Sequence, residues 1–167
     1  YDLGEMYGDN YGYRSGLNSS MVEHLSNKII SLENLVQLVP NDIVIDIGSN
    51  DATSLKAYSK KCIKVGIDPT GMKFKEYYTD DITLIPDFFT KELFINKFHG
   101  KKAKIVTSIA MFYDLEDPKK FAKDIYEILD DNGIWHFEQS YMPSMLKTNA
   151  YDTICHEHIE FYSLKVV

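Results

Sequence analysis

Ile43-Val44-Ile45-Asp46-Ile47-Gly48 is a short β-branched run that closes on an acid and a glycine, and it reads as a strand leading into a turn. Four stretches downstream repeat that character. Cys62-Ile63-Lys64-Val65-Gly66-Ile67-Asp68, Ile82-Thr83-Leu84-Ile85-Pro86-Asp87, Ala103-Lys104-Ile105-Val106-Thr107-Ser108 and Ile134-Trp135-His136-Phe137-Glu138 read as the second to fifth strands. Helical segments are predicted between them over 51–61, 71–78, 90–98 and 117–129; Asp117-Pro118 opens the last, and Asn132-Gly133 breaks the chain after it. Strands alternating with helices predict a three-layer α/β domain around a mostly parallel sheet with right-handed crossovers.

Upstream of the first strand, Ser20 and Glu23 form a capping box, and Val22, Leu25, Ile29, Leu32, Val36 and Val39 recur at helical spacing until Pro40. Residues 1–18 are rich in Tyr, Gly and Asn, which predicts no regular element there. The chain therefore divides into an N-terminal segment, 1–18, and a core, 19–167. It starts at Tyr1 and stops just after Ser163-Leu164, itself a possible helix start, so a piece of a longer protein is expected.

Composition narrows the partners. The 44% hydrophobic and 26% charged residues are ordinary for a globular domain. A net charge of −7 argues against a nucleic-acid backbone as the main ligand. The lysine groups Lys56, Lys60, Lys61 and Lys101, Lys102, Lys104 read as solvated faces. No apolar run approaches the roughly 20 residues that span a bilayer, so no membrane partner and a cytoplasmic location are expected. Cys62 and Cys155 cannot build a disulfide framework, and neither sits in a zinc spacing.

Ligands of an open parallel sheet collect beyond the carboxyl ends of its strands. Asp46, Asp68 and Asp87 stand there, and Asp68 follows Gly48 at the spacing where an acid meets ribose hydroxyls. An adenosine is expected, both diol protons being accepted by one carboxylate. The alternative is that these aspartates only cap and turn the chain. The loop Gly48-Ser49-Asn50-Asp51-Ala52 holds one glycine, and Asp51 stands where a pyrophosphate would sit. An acidic, tyrosine-rich cleft suits a sulfonium instead, which points to S-adenosyl-L-methionine over a dinucleotide.

Gly4-Glu5-Met6-Tyr7-Gly8, Tyr11-Gly12-Tyr13-Arg14-Ser15-Gly16, Asp46-Ile47-Gly48-Ser49-Asn50-Asp51, Ser108-Ile109-Ala110-Met111-Phe112-Tyr113-Asp114 and Cys155-His156-Glu157-His158 resemble the sugar C-methyltransferases. The resemblance covers nearly the whole chain, and its His-Glu-His segment is the most specific part. It implies a Rossmann-like class I methyltransferase core whose last strands would follow Val167. A zinc-binding domain would precede it and a C-terminal domain follow it. It also implies a keto-deoxysugar carried on a nucleoside diphosphate as substrate partner. Cofactor contacts would come from Tyr11, Tyr13, Asp46, Gly48, Asn50, Asp68, Pro69, Asp87, Phe88, Ser108 and Met111. His158 would be the general base, with Glu157, Tyr113 and Asp114 beside it.

Transfer to carbon needs a proton removed beside a ketone, hence a base of near-neutral pKa and a partner for the enolate oxygen. Ala52 departs from the family's glycine, which is tolerable where the backbone is not left-handed. Cys155 occupies a position where relatives carry tyrosine, so no hydroxyl role is carried over there. Cys155, His156 and His158 are also metal-ligand types, though a fourth ligand is missing. A purely structural loop is a further reading. His24, His99 and His136 read as surface or packed histidines, and Trp135, Phe137, Phe88 and Phe89 as core. An O- or N-methyltransferase of a small metabolite, and a binding fragment without turnover, are the competing functions.

Overall fold

The computed structural model describes residues 6, 7, 11–155 and 157–167. Those parts of the resemblance that rest on Gly4, Glu5, Gly8 and His156 lie outside the described residues. Five strands, β1 (Ile43–Ile47), β2 (Ile63–Ile67), β3 (Ile82–Ile85), β4 (Ala103–Ile109) and β5 (Leu129–Glu138), form one sheet in the order β3-β2-β1-β4-β5. Every pairing is parallel.

Alternation along the strands builds the two outer layers. Ile43, Ile45, Ile47, Val65, Ile67 and Val106 pack with Phe94 of α3 (Lys91–Phe98) and with Phe121, Ile125 and Ile128 of α4 (Pro118–Ile128). Val44, Ile82 and Ile105 face the other way. They meet Ile29 and Leu32 of α1 (Ser19–Leu35) and Leu55 of α2 (Thr53–Lys56). Each such side chain, fully buried, contributes about 1.5–3 kcal/mol.

The reading of the α1 boundary is corrected. Asn18, not Ser20, caps it, accepting from Ser20 N at 3.0 Å, and the helix ends at Leu35 while Val36 still packs. The helix predicted over 51–61 shrinks to Thr53–Lys56. Glu33 captures the amides of Ser59 and Lys60, at 3.0 and 2.9 Å, so the chain leaves helical geometry. Asn132-Gly133 sits inside the strand range, where residues 130–133 of β5 lie opposite Lys104 of β4 in a register shift between the Ala103↔Leu129 and Ile105↔Ile134 partners. A short helix, α5 (Met142–Thr148), was not anticipated, and Ser163-Leu164 starts only a turn.

Candidate functional site

The tips of the strands open onto a cavity of about 770 Å³. Its wall includes Tyr11, Tyr13, Asp46, Gly48, Asn50, Asp68, Pro69, Phe88, Met111, Tyr113, Asp114, Glu157 and His158. The sequence-predicted contacts Asp87 and Ser108 are not in that wall. Asp87 is exposed and its carboxylate accepts from Phe88 N at 2.7 Å, which makes it a turn residue. Ser108 is fully buried and its Oγ accepts from Trp135 Nε1 at 2.9 Å.

The turn after β1 has an unusual backbone. Gly48, Asn50 and Ala52 have φ of 74°, 50° and 60°. Ala52 is thus left-handed, the conformation in which its methyl costs about 1–2 kcal/mol. A side chain on Gly48 would meet Met111 only at ordinary contact distance, so the backbone angle is what calls for glycine there. Three of the turn's amides are spent within the protein: Gly48 N donates to Ile67 O at 2.9 Å, Asn50 N to Asp68 Oδ2 at 2.7 Å, and Ala52 N to Ser49 O at 2.8 Å. A pyrophosphate would find no amide cradle.

The reason offered from sequence, repulsion by Asp51, is corrected. Asp51 is 2% exposed and lies outside the cavity wall. Its Oδ2 accepts from Gly16 N at 3.0 Å and sits 3.6 Å from Arg14 Nε, and Oδ1 accepts from Thr53 Oγ1 at 2.5 Å. Asn50 does the same for the residues before: Oδ1 accepts from Ser15 N and Nδ2 donates to Tyr13 O, both at 3.0 Å. Arg14 Cζ also stacks 4.2 Å over Tyr77. The turn therefore straps residues 13–16 over the cavity.

Asp68 is 5% exposed. Its Oδ1 accepts from Thr70 N at 2.7 Å and Thr70 Oγ1 at 2.5 Å, while Oδ2 accepts from Asn50 N. With two lone pairs on each oxygen, Oδ1 is filled and Oδ2 has one site left. The expected two-oxygen clasp of a diol is therefore narrowed to one oxygen.

Asp46 is buried and accepts from Thr107 Oγ1 at 2.6 Å. Burial pushes its carboxyl up to about 7, against the hydroxyls of Thr107 and Ser54, and Asp68 adds to the rise. The native protein then holds a proton that the unfolded chain has lost, so stability falls as pH rises from 3.8 toward about 7. Asp46→Asn keeps an acceptor for Thr107 and is expected to level that slope. Melting midpoints across the same range check it, and an unchanged slope would assign the titration to another group.

At the other end of the wall, Tyr113 and Asp114 follow β4. Glu160 and Ile159 amides both donate to Tyr113 O at 3.1 Å, which brings the His158 loop alongside. The His158 ring lies 4.0 Å from the Tyr113 ring centroid. Nδ1 of His158 is 2.7 Å from Thr153 O; a carbonyl only accepts, so Nδ1 carries hydrogen and Nε2 of the neutral ring holds the lone pair. Tyr7 donates to Asp114 Oδ2 at 2.8 Å, whereas Asp114 Oδ1 is buried without a hydrogen-bond partner. Burial pushes Asp114 up to about 6; Tyr7 and His158 oppose the rise and Glu157 adds to it. Burial pushes Tyr11 up to about 12 and raises Tyr113 further, Asp114 reinforcing the latter. Both phenols therefore stay protonated and act as donors, not bases.

The cavity at the strand tips thus brings a buried acid and a tethered imidazole into one space. A family model described as "Methyltransferase domain" matches residues 21–166. The chain belongs to this methyltransferase family. The C-methyltransferase NovU of Streptomyces niveus is 27% identical over 157 residues, covering 92% of this chain. The chain spans 37% of that relative's length. Among solved structures, YcgJ of Bacillus subtilis superposes with a TM-score of 0.63 at 15% identity, covering 86% of this chain and 64% of that one. The methyltransferase complexed with Trm112 of Haloferax volcanii gives 0.61 at 17% identity, with coverages of 89% and 69%. The plantazolicin methyltransferase BpumL, solved with SAH, gives 0.59 at 13%, with coverages of 87% and 57%. These likenesses establish the Rossmann-like class I methyltransferase fold.

Several members of this methyltransferase's cavity wall had no place among the predicted contacts: Tyr7, Ser15, Thr53, Ser54, Thr70 and Glu138. Glu138 had a usable signal, since it closes the fifth strand as Asp46 and Asp68 border theirs. Tyr7 and Ser15 arrive through the strap, whose path no local periodicity encodes. Among the described residues no helix is long and apolar enough to cross a membrane.

Proposed function

We propose that the protein is a C-methyltransferase that uses S-adenosyl-L-methionine to methylate a nucleotide-linked keto-deoxysugar, with His158 as general base. The observation that carries this reading is the tethered His158 imidazole sharing one cavity with Asp46 and Asp68. NovU's name supports carbon as acceptor, and the motifs around Tyr11–Gly16 and Glu157-His158 support the sugar.

The residues fit the cofactor. Three of the turn's amides are taken up inside the protein, while Asp68 Oδ2 offers one acceptor site to a ribose hydroxyl beside Pro69 and Phe88. Asp46, Gly48, Asn50 and Met111 would line its middle, and Tyr11 and Tyr13 would cover the cationic end through their ring faces. When bound, the cofactor supplies an electrophilic methyl carbon on a sulfonium.

The chain's own part is the proton. His158 Nε2 takes it from the carbon beside the ketone, Nδ1–H on Thr153 O holding the ring in that tautomer. Asp114, once protonated, gives its unpartnered Oδ1 a hydrogen to place on the enolate oxygen. Tyr113 packs against the base, and Glu157, its neighbour in the chain, lines the same cavity and would help to orient it.

The test is mass spectrometry of the product formed by the intact protein from methyl-labelled cofactor and a nucleoside-diphosphate-linked 4-keto-deoxyhexose. Label on a ring carbon is the expected result. Label on oxygen or nitrogen would replace the reading with heteroatom transfer, in which His158 deprotonates a hydroxyl.

A further inference from the structure

Glu138 lines the cavity at the tip of β5, outside the machinery described so far. Its backbone carbonyl accepts from Ala110 N at 2.8 Å, which fixes it beside the left-handed Ala110 after β4. Two side chains reach its carboxylate from α1: His24 Nε2 at 2.6 Å from Oε1, and Lys28 Nζ at 3.0 Å from Oε2. Lys28 Nζ takes at most one of the two lone-pair sites on Oε2, so Oε2 keeps an acceptor site. Burial alone would raise this carboxyl, but Lys28 and His24 outweigh it and hold it below the ordinary range. Neither side chain is in the cavity wall, to which α1 contributes Met21 and Leu25. The stretch of wall that α1 contributes is therefore apolar, and Glu138 is the acid that α1 holds in place there.

The strand order says what that acceptor can meet. From β2, where Asp68 stands, to β5 is three steps across the sheet, about 14 Å at the usual strand spacing. One ribose cannot touch both. Glu138 stands on the half of the cavity that also holds Tyr113 and Asp114, beyond the turn that follows β1.

We propose that Glu138, held by Lys28 and His24, reads a ring hydroxyl of the sugar substrate and so sets which sugar is accepted. This rests on the sugar reading above. An ionised carboxylate only accepts, so the hydroxyl donates its hydrogen to Oε2, and a sugar without that hydroxyl leaves the acceptor unpaired.

The experiment uses the intact protein and two nucleoside-diphosphate-linked 4-keto-deoxyhexoses that differ in one ring hydroxyl, with Glu138→Gln as the variant. Expected is a fall of about 10- to 100-fold in kcat/KM for the hydroxyl-bearing sugar, carried mainly by KM, with the deoxy analogue unchanged. SAH affinity measured by calorimetry should stay within about twofold, since no shared contact is lost. Equal losses for both sugars, or none, would overturn the inference. Weakened SAH binding would overturn it too, by making Glu138 a cofactor contact. Absence of turnover of either sugar by the unaltered protein sinks the sugar reading, and this inference with it. Should Glu138→Gln fail to fold, Glu138→Asp, which keeps the charge, must shift the same ratio.

Discussion

Replacing His158 by asparagine is expected to slow methyl transfer by about 100- to 10,000-fold, the contribution of a positioned base. The asparagine amide can still donate to Thr153 O, so the loop should keep its shape. What disappears is the ring lone pair at Nε2. No neighbour can replace it. Tyr113 and Tyr11 are held protonated by burial, and Asp114, at about 6, lies on the partner side of the enolate. The effect should appear first in exchange of the sugar's hydrogen with solvent deuterium, a step that precedes methyl transfer. SAH affinity should hardly change, because His158 touches none of the groups around Asp68. Unaltered exchange in the variant would remove His158 from the role, whatever the methyl transfer rate. Lost exchange together with lost SAH binding would point to a collapsed loop instead.

The fold was legible because each strand is a short β-branched run, and such runs punctuated by helices admit one kind of sheet. Asp46 and Asp68 were legible for the same reason, since a strand's end fixes where its last residues stand. Three features were not. Asn50 and Ala52 adopt left-handed backbone in a turn three of whose amides are taken by Ile67, Asp68 and Ser49. Nothing in the residue types declares this, and the glycine rule would have predicted otherwise for Ala52. Asp51 was misread as facing the ligand because its partners, Arg14 and Gly16, come from about 35 residues upstream. Asp87 was carried along by the pattern of acids at strand tips, but β3 ends at Ile85, and Pro86 turns the chain outward. Strand tips are thus predictable, and what the tips grip is not, because the grip is made by long-range partners. Of the left-handed residues, Gly48, Asn50 and Ala110 line the cavity and Ala52 stands behind the turn, whereas Asn41, His99, Gly100 and Asn149 serve turns and helix ends elsewhere.

Asp68→Ala is expected to raise the SAH dissociation constant by at least about 100-fold, through two losses that act together. The first is direct: the remaining site on Oδ2 offers a charge-assisted hydrogen bond, worth about 1.5–3 kcal/mol. The second runs through the turn. Removing the carboxylate orphans the amides of Asn50 and Thr70 inside a region 4–7% exposed, at about 1–3 kcal/mol for each unsatisfied group. Asn50 in turn holds Ser15 N and Tyr13 O, so the strap that brings Tyr13 to the cavity loosens as well. Asp68→Asn separates the two losses. It preserves volume, but its amide nitrogen must face either the Thr70 donors or the Asn50 donor, so one side of the clasp is lost and the other kept. The asparagine variant should therefore bind more tightly than the alanine variant and melt at a higher temperature, while both fall below the unaltered protein. A change of less than about threefold in SAH affinity for the alanine variant would mean that the ribose is held elsewhere. The acid at the second strand's tip would then serve the turn alone.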